Sequence, residues 1–332
     1  MSCREGYTLS VAGQLAAVND PDILLLRQKV HGLPASRYAD ALRERLPDAD
    51  IVVADTPDEE RELAKRATVI SGFNIDDELL ESATAMELFA CCFAGYGHLP
   101  LDELEAAGVP VTNASGVHGP NISEYVIGAL VSMARDFHRA RRQQDERVWQ
   151  AFGSRELMGS TVTVVGLGAI GQAVLKRLEP FGVDTIGVRY SPEKGGPADE
   201  VYGFDEIHEA LARTDALVLA CPLTEETEQL IDYEAFRTLP PHAHLVNIAR
   251  GGVVDTDALV KTLRSHNIAA AFLDVTDPEP LPSEHPLWGF ENVTITPHNA
   301  GHTPKYFERL ADIVAENYRR LENGEELENR VR

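Results

Sequence analysis

The stretch TVTVVGLGAIGQAVLKRL, residues 161–178, decides the fold. Five residues that favour β-structure run directly into glycines at positions 166, 168 and 171, and apolar residues at helical spacing follow. A strand that passes through such glycines into a helix predicts a dinucleotide-binding turn. Gly166 would permit the tight turn, Gly168 would let the backbone approach a pyrophosphate, and Gly171 would let the helix pack closely on the strand. The amino end of the helix would present free N–H groups to the phosphates.

Short apolar runs alternate with helical patterns on both sides of this turn, which indicates parallel sheets with crossover helices. We therefore predict an α/β protein with two doubly wound parallel-sheet domains. A Rossmann cofactor domain (114–302) would be inserted into a flavodoxin-like substrate domain (1–113 plus 303–332). The predicted strands are 22–26, 50–54, 68–70, 87–93 and 109–113 in the first series, and 161–166, 184–188, 216–221, 244–249, 269–275 and 292–297 in the second.

Two further segments have helical patterns. Residues 121–152 are expected to form a helix that is buried on one face and bridges the two domains. Residues 303–324 are amphipathic and lie beyond the last predicted strand, so this helix is expected to return and pack on the first domain. The residues expected on the buried faces are Val126, Ile127, Leu130 and Met133 in the first segment, and Phe307, Leu310, Ile313, Val314 and Tyr318 in the second.

The chain is strongly acidic: its 332 residues include 53 Asp and Glu against 30 Lys and Arg, and its formal net charge is −23. This charge argues against a nucleic-acid partner, which needs a basic surface. No apolar run approaches the roughly 18 residues that span a bilayer. The amino-terminal MSCREGYTLS has no signal pattern, so we expect a cytoplasmic protein. The acid-rich, lysine-poor composition resembles that of halophilic proteins, and we hypothesise that high salt supports stability by screening self-repulsion.

An arginine occupies the position where an acidic residue is expected. Arg189 lies 18 positions after Gly171, at the end of the next predicted strand. In NAD enzymes an acidic residue about 20 positions beyond the turn binds the ribose hydroxyls, whereas an arginine would attract a 2′-phosphate. With Tyr190, Ser191 and Lys194 as further donors, this segment favours NADP(H) over NAD(H). The alternative is a solvated arginine that stacks on adenine without selecting the cofactor.

Polar residues stand at the ends of three strands of the second series. Arg250 follows HLVNIA, Asp274 lies in AAAFLDV with Glu279 five residues later, and His298 follows NVTITP. Because ligands bind beyond the carboxyl ends of parallel strands, these groups are expected to meet in one crevice. They favour hydride transfer to a 2-oxo acid. The arginine would hold the substrate carboxylate, the histidine would protonate the new alkoxide, and a carboxylate would hold the imidazole and raise its pKa.

These motifs together resemble the D-isomer-specific 2-hydroxyacid dehydrogenase family over nearly the whole chain. The resemblance is carried by NIARGGVVD (247–255), LDVTDPEPLP (273–282) and TPHNAG (296–301), behind GLGAIG (166–171). It implies that Arg250, Glu279 and His298 are catalytic, with His298 as the acid/base, and that Asp274 meets the nicotinamide carboxamide. The residues expected to bind the cofactor are Gly166, Gly168, Ala169, Ile170, Gly171, Arg189, Tyr190, Ser191, Lys194, Cys221, Pro222, Thr227, Ile248, Ala249, Asp274 and Ala300.

The first domain carries a stretch, CCFAGYGHLPLDELEAAGVPVTNASGV (91–117), that looks like the family's substrate loop. Three departures bear on the choice of substrate. Asn299 stands where the family often has an aliphatic residue, and Tyr125 stands where the family frequently has His. The segment GHLPLD (97–102) replaces the family's more usual segment that contains Asp-Asn. The residues expected to bind the substrate are Phe73, Asn74, Ala94, Gly95, Tyr96, Gly97 and Arg250.

The sequence thus predicts a stereospecific NADPH-linked reductase that converts a small 2-oxo acid to its D-2-hydroxy acid, with a homodimer as the expected assembly. Glyoxylate, hydroxypyruvate and branched aliphatic oxo acids remain open as substrates. The alternative, from another class, is a cofactor-sensing partner protein like the corepressors that share this fold. We predict no metal site, because Gly301 interrupts the spacing of His298 and His302. The four cysteines are expected to be small buried hydrophobes.

Overall fold

The computed structural model describes residues 20–27, 29–30 and 32–331. Contacts between Cα atoms divide the chain into two units. One ends at Ala114 and resumes at Pro304, and the other runs from Ser115 to Thr303. The amino-terminal stretch on which the expected localisation depends, and Cys3 within it, lie outside the described residues.

The first unit is built around a parallel sheet. Its elements up to Ala114 are β1 Ile23–Leu25, β2 Lys29–Val30, β3 Leu33–Pro34, α1 Ala35–Arg45, β4 Ile51–Val53, α2 Pro57–Ala64, β5 Val69–Gly72, α3 Asp77–Ser82, β6 Leu88–Cys91, α4 Leu101–Ala106 and β7 Val111–Thr112. In the described residues the sheet has the order β4-β1-β5-β6-β7, and every pair is parallel. With β2 and β3 set apart in a small antiparallel pair, this is the 2-1-3-4-5 order of flavodoxin-like sheets. Ile23, Leu24 and Leu25 in β1 are fully buried, as expected for a strand covered on both faces.

The second unit contains a longer parallel sheet. Its elements are α5 Gly119–Ala134, α6 Phe137–Glu146, β8 Thr161–Val165, α7 Ala169–Leu178, β9 Asp184–Val188, β10 Glu200–Tyr202, α8 Ile207–Leu211, β11 Ala216–Leu219, α9 Tyr233–Thr238, β12 His244–Asn247, α10 Thr256–Arg264, β13 Ala270–Leu273 and β14 Val293–Ile295. The strand order is β10-β9-β8-β11-β12-β13-β14, which is the 3-2-1-4-5-6 order of dinucleotide-binding sheets with one strand added. The predicted fold class is confirmed. Strand β10 was not predicted, because three residues after a stretch rich in glycine and proline carry too little periodicity.

The segment predicted as one helix over 121–152 forms two helices. Helix α5 ends at Ala134 and α6 begins at Phe137, and between them Asp136 has a φ of +55°, a left-handed conformation that ends a right-handed helix. Val126 and Leu130 are fully buried in α5, which packs against α7 and strand β12 of the same unit. Of the four residues expected on the buried face, Val126, Leu130 and Met133 are buried and Ile127 is only partly buried. The break depended on the backbone at Asp136.

Helix α11, Tyr306–Asn323, belongs to the first unit and packs on α1. The rings of Tyr38 and Phe307 stack with centroids 5.2 Å apart, and Arg45 Nε donates to Asp312 Oδ1 at 2.5 Å. Within the described part of the chain, the helices are all too short or too polar to cross a bilayer. Three of the four cysteines are described, at positions 91, 92 and 221; each is buried, and none of these three forms a disulfide in the described residues.

Candidate active site

The glycine turn between β8 and α7 lies where the order of the sheet reverses. Gly166 has a φ of +97°, and a Cβ added to it would lie 2.6 Å from the backbone of Cys221 at the end of β11. A Cβ on Gly171 would overlap the carbonyl oxygen of Gly166. Both positions therefore require glycine, one for its backbone conformation and both for the close approach of neighbouring backbone.

The amino end of α7 is left open by this turn. A Cβ added to Gly168 would meet no described atom within 4 Å, and in the described residues no side chain caps the helix. The first N–H groups of a helix have no partner within the helix and carry a partial positive charge. Ala169 and Ile170 form the first turn of α7 beside Gly171, so this end of the helix can receive an anion.

Arg189 follows β9, and a backbone group of the same loop holds its side chain. Arg189 is half-buried, and its Nη1 donates to the carbonyl oxygen of Gly195 at 2.6 Å. Tyr190 is 72% exposed, and Lys194 is also exposed, at the end of a short 3₁₀ turn that follows Ser191. The expected donors are thus on one loop, with one N–H of the guanidinium already engaged.

The residues beside the end of β11 build a tight turn. Thr227 is 2% exposed; its hydroxyl donates to the carbonyl oxygen of Pro222 at 2.6 Å and accepts the N–H of Thr224 at 2.8 Å. Cys221 is buried, and this burial raises the pKa of its thiol to about 11. These side chains therefore shape the turn beneath Gly166 rather than present free polar groups.

His298 and Glu279 form a close pair in the second unit. The Nδ1 of His298 lies 2.7 Å from Glu279 Oε1, and both side chains are roughly half-exposed. His298 has a φ of +50°, a conformation that costs a residue other than glycine on the order of 1 kcal/mol. Its backbone N–H donates to the carbonyl oxygen of Asp274 at 2.8 Å, which anchors it to the end of β13. The imidazole is thus oriented from both its ring and its backbone.

Asp274 is the centre of a buried hydrogen-bond network. Its side chain accepts the Thr296 hydroxyl at 2.7 Å, the N–H of Asn299 at 2.8 Å, and the N–H of Ala300 at 2.9 Å. The Tyr125 hydroxyl lies 3.1 Å from the same carboxylate and also donates to Thr296. Burial raises the pKa of Tyr125 to about 12, and the Asp274 charge adds to this rise. Asp274 therefore holds the loop that carries His298.

This network bears on the role expected of Asp274. The residue is 2% exposed; its Oδ1 accepts from Thr296 and Asn299, and in the described part of the chain its Oδ2 accepts only the N–H of Ala300. Because a carboxylate oxygen can accept two hydrogen bonds, Oδ2 could also accept an N–H of a nicotinamide carboxamide. Tyr125 and Thr296 were not assigned a role from the sequence, although the departure at Tyr125 was the signal that could have found this contact.

Arg250 is exposed at the end of β12. Its Nη1 donates to the carbonyl oxygen of Ala249 at 2.6 Å. The buried amide of Asn247 holds the turn below it by donating to the carbonyl oxygen of Arg250 at 3.1 Å and accepting the N–H of Ala249 at 3.0 Å. A Cβ on Gly251 would overlap the backbone of Thr276. This glycine therefore lets the arginine loop lie against the segment that leads to Glu279.

The remaining expected cofactor residues at these strand ends are mostly buried. Ile248 is 7% exposed, Ala249 is 5% exposed, and Ala300 is 4% exposed. The carbonyl oxygen of Ala300 accepts the side-chain N–H of Asn121 at 2.9 Å. These three residues offer backbone groups and small apolar surfaces. In the described residues no three His, Cys, Asp or Glu side chains are grouped so as to hold a metal ion.

The expected substrate residues lie in the first unit, after the paired strands β5 and β6. Phe73 and Asn74 follow β5, and residues 94–97 follow β6. Phe73 is 47% exposed and Tyr96 is 41% exposed, which is unusual for large apolar rings. The carbonyl oxygen of Ala94 accepts the side-chain N–H of Asn113 at 2.7 Å. The structure also places His98, which the sequence analysis did not select, against Phe73.

Comparison with known proteins gives the family. Residues 127–300 match the model of the D-isomer specific 2-hydroxyacid dehydrogenase NAD binding domain. A glyoxylate reductase of Thermofilum pendens is 35% identical over 260 residues, which are 76% of this chain and 76% of the relative. The human glyoxylate reductase/hydroxypyruvate reductase is 34% identical over 253 residues, 74% of this chain and 76% of the relative.

The crystal structure of a D-isomer specific 2-hydroxyacid dehydrogenase from Xanthobacter autotrophicus Py2, in complex with NADPH and MES, is similar with a TM-score of 0.77. The two proteins are 29% identical, and the match covers 94% of this chain and 98% of that one. The chain belongs to the D-isomer specific 2-hydroxyacid dehydrogenase family. It is an oxidoreductase with a domain that binds a nicotinamide dinucleotide.

Proposed function

We propose that the protein reduces a small 2-oxo acid to the D-2-hydroxy acid with NADPH. The observation that carries this proposal is the His298–Glu279 pair, 2.7 Å apart, on a loop anchored to Asp274 beyond the strand ends of a dinucleotide-binding sheet. An imidazole held in this way is a suitable proton donor to an oxygen that gains negative charge. The names of the two relatives, which reduce glyoxylate or hydroxypyruvate, support a small oxo acid.

The glycine turn and the open end of α7 fit a pyrophosphate, since both required glycines and the uncovered N–H groups are present. We assign the remaining cofactor contacts to the turn at Cys221, Pro222 and Thr227, and to the strand ends at Ile248, Ala249, Asp274 and Ala300. When bound, the dinucleotide supplies the hydride that reduces the ketone carbon.

In the proposed mechanism Arg250 binds the substrate carboxylate and polarises the ketone, since a guanidinium can donate two parallel hydrogen bonds. His298 gives its proton to the ketone oxygen as the carbon is reduced, which yields the neutral hydroxyl. Glu279 accepts the Nδ1–H, so it holds the ring in place and leaves Nε2 as the nitrogen that donates the proton. Phe73, Asn74 and residues 94–97 are assigned to substrate binding, and the first and second units to the substrate and cofactor domains.

The preference for NADPH is proposed from the loop after β9. Arg189 uses one N–H on Gly195, which leaves other donors of the guanidinium for a 2′-phosphate, and Tyr190, Ser191 and Lys194 lie on the same loop. No acidic residue stands at position 189, where it would repel that phosphate. The NADPH in the structure of the Xanthobacter relative supports this choice.

We further propose a homodimer in the cytoplasm of a salt-adapted cell. The segment after α6 leaves Val148 and Trp149 exposed by 43% and 103%, and apolar side chains of this size favour burial against a second chain. The charge of −23 supports the salt adaptation. Sedimentation equilibrium in molar KCl should give twice the mass of one chain, and a monomer at micromolar concentration would contradict the dimer.

The experiment that tests the proposed function is a steady-state panel of 2-oxo acids with NADH and NADPH, in dilute and in molar salt. We expect turnover of a small oxo acid, with kcat/KM higher for NADPH. Nucleotide binding without turnover of any oxo acid would contradict the proposed reductase activity and favour a cofactor-sensing protein.

A further inference from the structure

His98 and Phe73 are in direct contact, on the loops that follow β6 and β5. Their rings stack with centroids 4.3 Å apart and an angle of 15° between the planes. The Nε2 of His98 also lies 2.7 Å from the carbonyl oxygen of Phe73. One histidine thus contacts both the side chain and the backbone of a residue 25 positions away.

The contact with the carbonyl oxygen determines which ring nitrogen of His98 carries a hydrogen, and it also holds the ring in position. Because a carbonyl oxygen only accepts, Nε2 of His98 carries the hydrogen. Phe73 also contacts Phe93, whose ring meets it edge to face with centroids 4.8 Å apart. Phe73 thus contacts two other rings, yet it remains 47% exposed.

A large apolar ring that is both immobilised and exposed is suited to contact an apolar ligand. The side chain has already lost its conformational entropy on folding, so ligand binding does not have to order it. The exposed surface of Phe73 offers no hydrogen bond, so it suits a hydrocarbon group better than a hydroxyl or a phosphate. Tyr96, on the loop between β6 and His98, adds a second exposed ring.

We propose that His98 is a positioning residue for substrate selectivity, which holds Phe73 against the aliphatic side chain of the 2-oxo acid. The inference rests on the proposed function and deepens it: the substrate class becomes 2-oxo acids with an apolar chain of several carbons. His98 itself takes no part in proton or hydride transfer. It therefore acts on the binding of long-chain substrates and leaves the reaction of a substrate without a side chain unchanged.

The test compares glyoxylate, which has no side chain, with 2-oxohexanoate in the full-length protein. His98→Ala removes both contacts with Phe73. We expect kcat/KM for 2-oxohexanoate to fall roughly tenfold, mainly through KM, while the value for glyoxylate changes by less than about twofold. His98→Phe keeps a ring against Phe73 and should recover most of the loss, whereas His98→Asn keeps only a donor and should recover little.

His208→Ala is the matched control, because His208 is an exposed histidine of the second unit that contacts Thr238. It should alter neither substrate. Nucleotide affinity and the unfolding temperature report on the fold of each variant. An equal fall for both substrates in folded His98→Ala and His98→Phe, or no fall for either, would overturn the inference while leaving the reductase intact. Wild-type turnover of glyoxylate but not of 2-oxohexanoate would do the same. Wild-type turnover of neither substrate would overturn this inference, and it would overturn the proposed function as well if no other 2-oxo acid of the panel were reduced.

Discussion

The Nδ1 of His298 and the Oε1 of Glu279 lie 2.7 Å apart although the two residues are 19 positions apart in the chain. The pair leaves Nε2 as the ring nitrogen that can face a substrate. The backbone of His298 is fixed independently, by the bond from its N–H to Asp274. Removal of Glu279 would therefore change the orientation of the imidazole without releasing the loop.

The first prediction concerns this pair. His298→Ala should lower kcat by roughly 10²–10⁴-fold, because the proton donor is lost. Glu279→Gln should lower kcat less. The double variant should be little worse than His298→Ala alone, because residues that act as a unit are not additive. Steady-state kinetics and nucleotide titration measure both effects. Independent, multiplicative losses would show that the two residues do not act together.

The second prediction concerns Arg250. Arg250→Lys keeps the charge but loses the planar pair of donors, so kcat/KM for the oxo acid should fall on the order of 10²-fold. Nucleotide affinity should stay near the wild-type value. Lys261→Arg, a change on the exposed side of α10, serves as the control for a basic substitution in the same unit. A near-normal response of Arg250→Lys to the oxo acid would remove Arg250 from substrate binding.

The third prediction concerns cofactor choice. Arg189→Asp should raise KM for NADPH by roughly 10–100-fold, because a charge-assisted contact is replaced by repulsion. KM for NADH should change far less. Arg237→Asp is the matched control, since Arg237 is an exposed arginine whose Nη1 lies 3.3 Å from Glu234. If KM rises equally for both nucleotides, Arg189 does not bind the 2′-phosphate.

The fourth prediction concerns acid stability and His244. His244 is 8% exposed at the start of β12, and burial lowers its pKa to about 4, with the nearby Arg155 charge adding to the effect. Between pH 6.5 and 4 the unfolded chain binds a proton that the folded chain does not, so stability falls as pH falls through this window. His244→Phe should remove this dependence, on the order of 3 kcal/mol.

Urea unfolding at several pH values measures this effect. His208→Phe is the control, because His208 is exposed on α8 and should leave the slope unchanged. If wild type and His244→Phe lose stability in parallel between pH 6.5 and 4, the buried neutral state of His244 does not contribute to acid unfolding.

The fifth prediction concerns salt. A formal charge of −23 repels itself in dilute buffer, and molar salt shortens the screening length to about 3 Å. The unfolding temperature should therefore rise between low and molar KCl. NaCl at equal concentration should act similarly, because screening depends on ionic strength. An unfolding temperature that does not rise would remove the salt hypothesis.

Local patterns were enough to predict the sheets and the glycine turn. Residues 161–171 carry a strand, a turn and the start of a helix within one short stretch, so their periodicity and glycine spacing are visible without any partner. The strand ends at Arg250, Asp274 and His298 could also be predicted, because parallel strands bring their carboxyl ends to one edge. The shortest features, β10 and the helix break at Asp136, could not.

Contacts between distant residues were decided only by the tertiary structure. The Tyr125 hydroxyl lies 3.1 Å from the Asp274 carboxylate, although the two residues are 149 positions apart. The contact of His98 with Phe73 depends on how two loops leave neighbouring strands. Such contacts depend on loop conformations and side-chain rotamers, which a periodic pattern does not encode. The sequence by itself thus determined the sheets, the glycine turn and the types of residue at the strand ends. Which of those side chains hold one another was decided by the folded loops, because hydrogen bonds act only over about 3 Å.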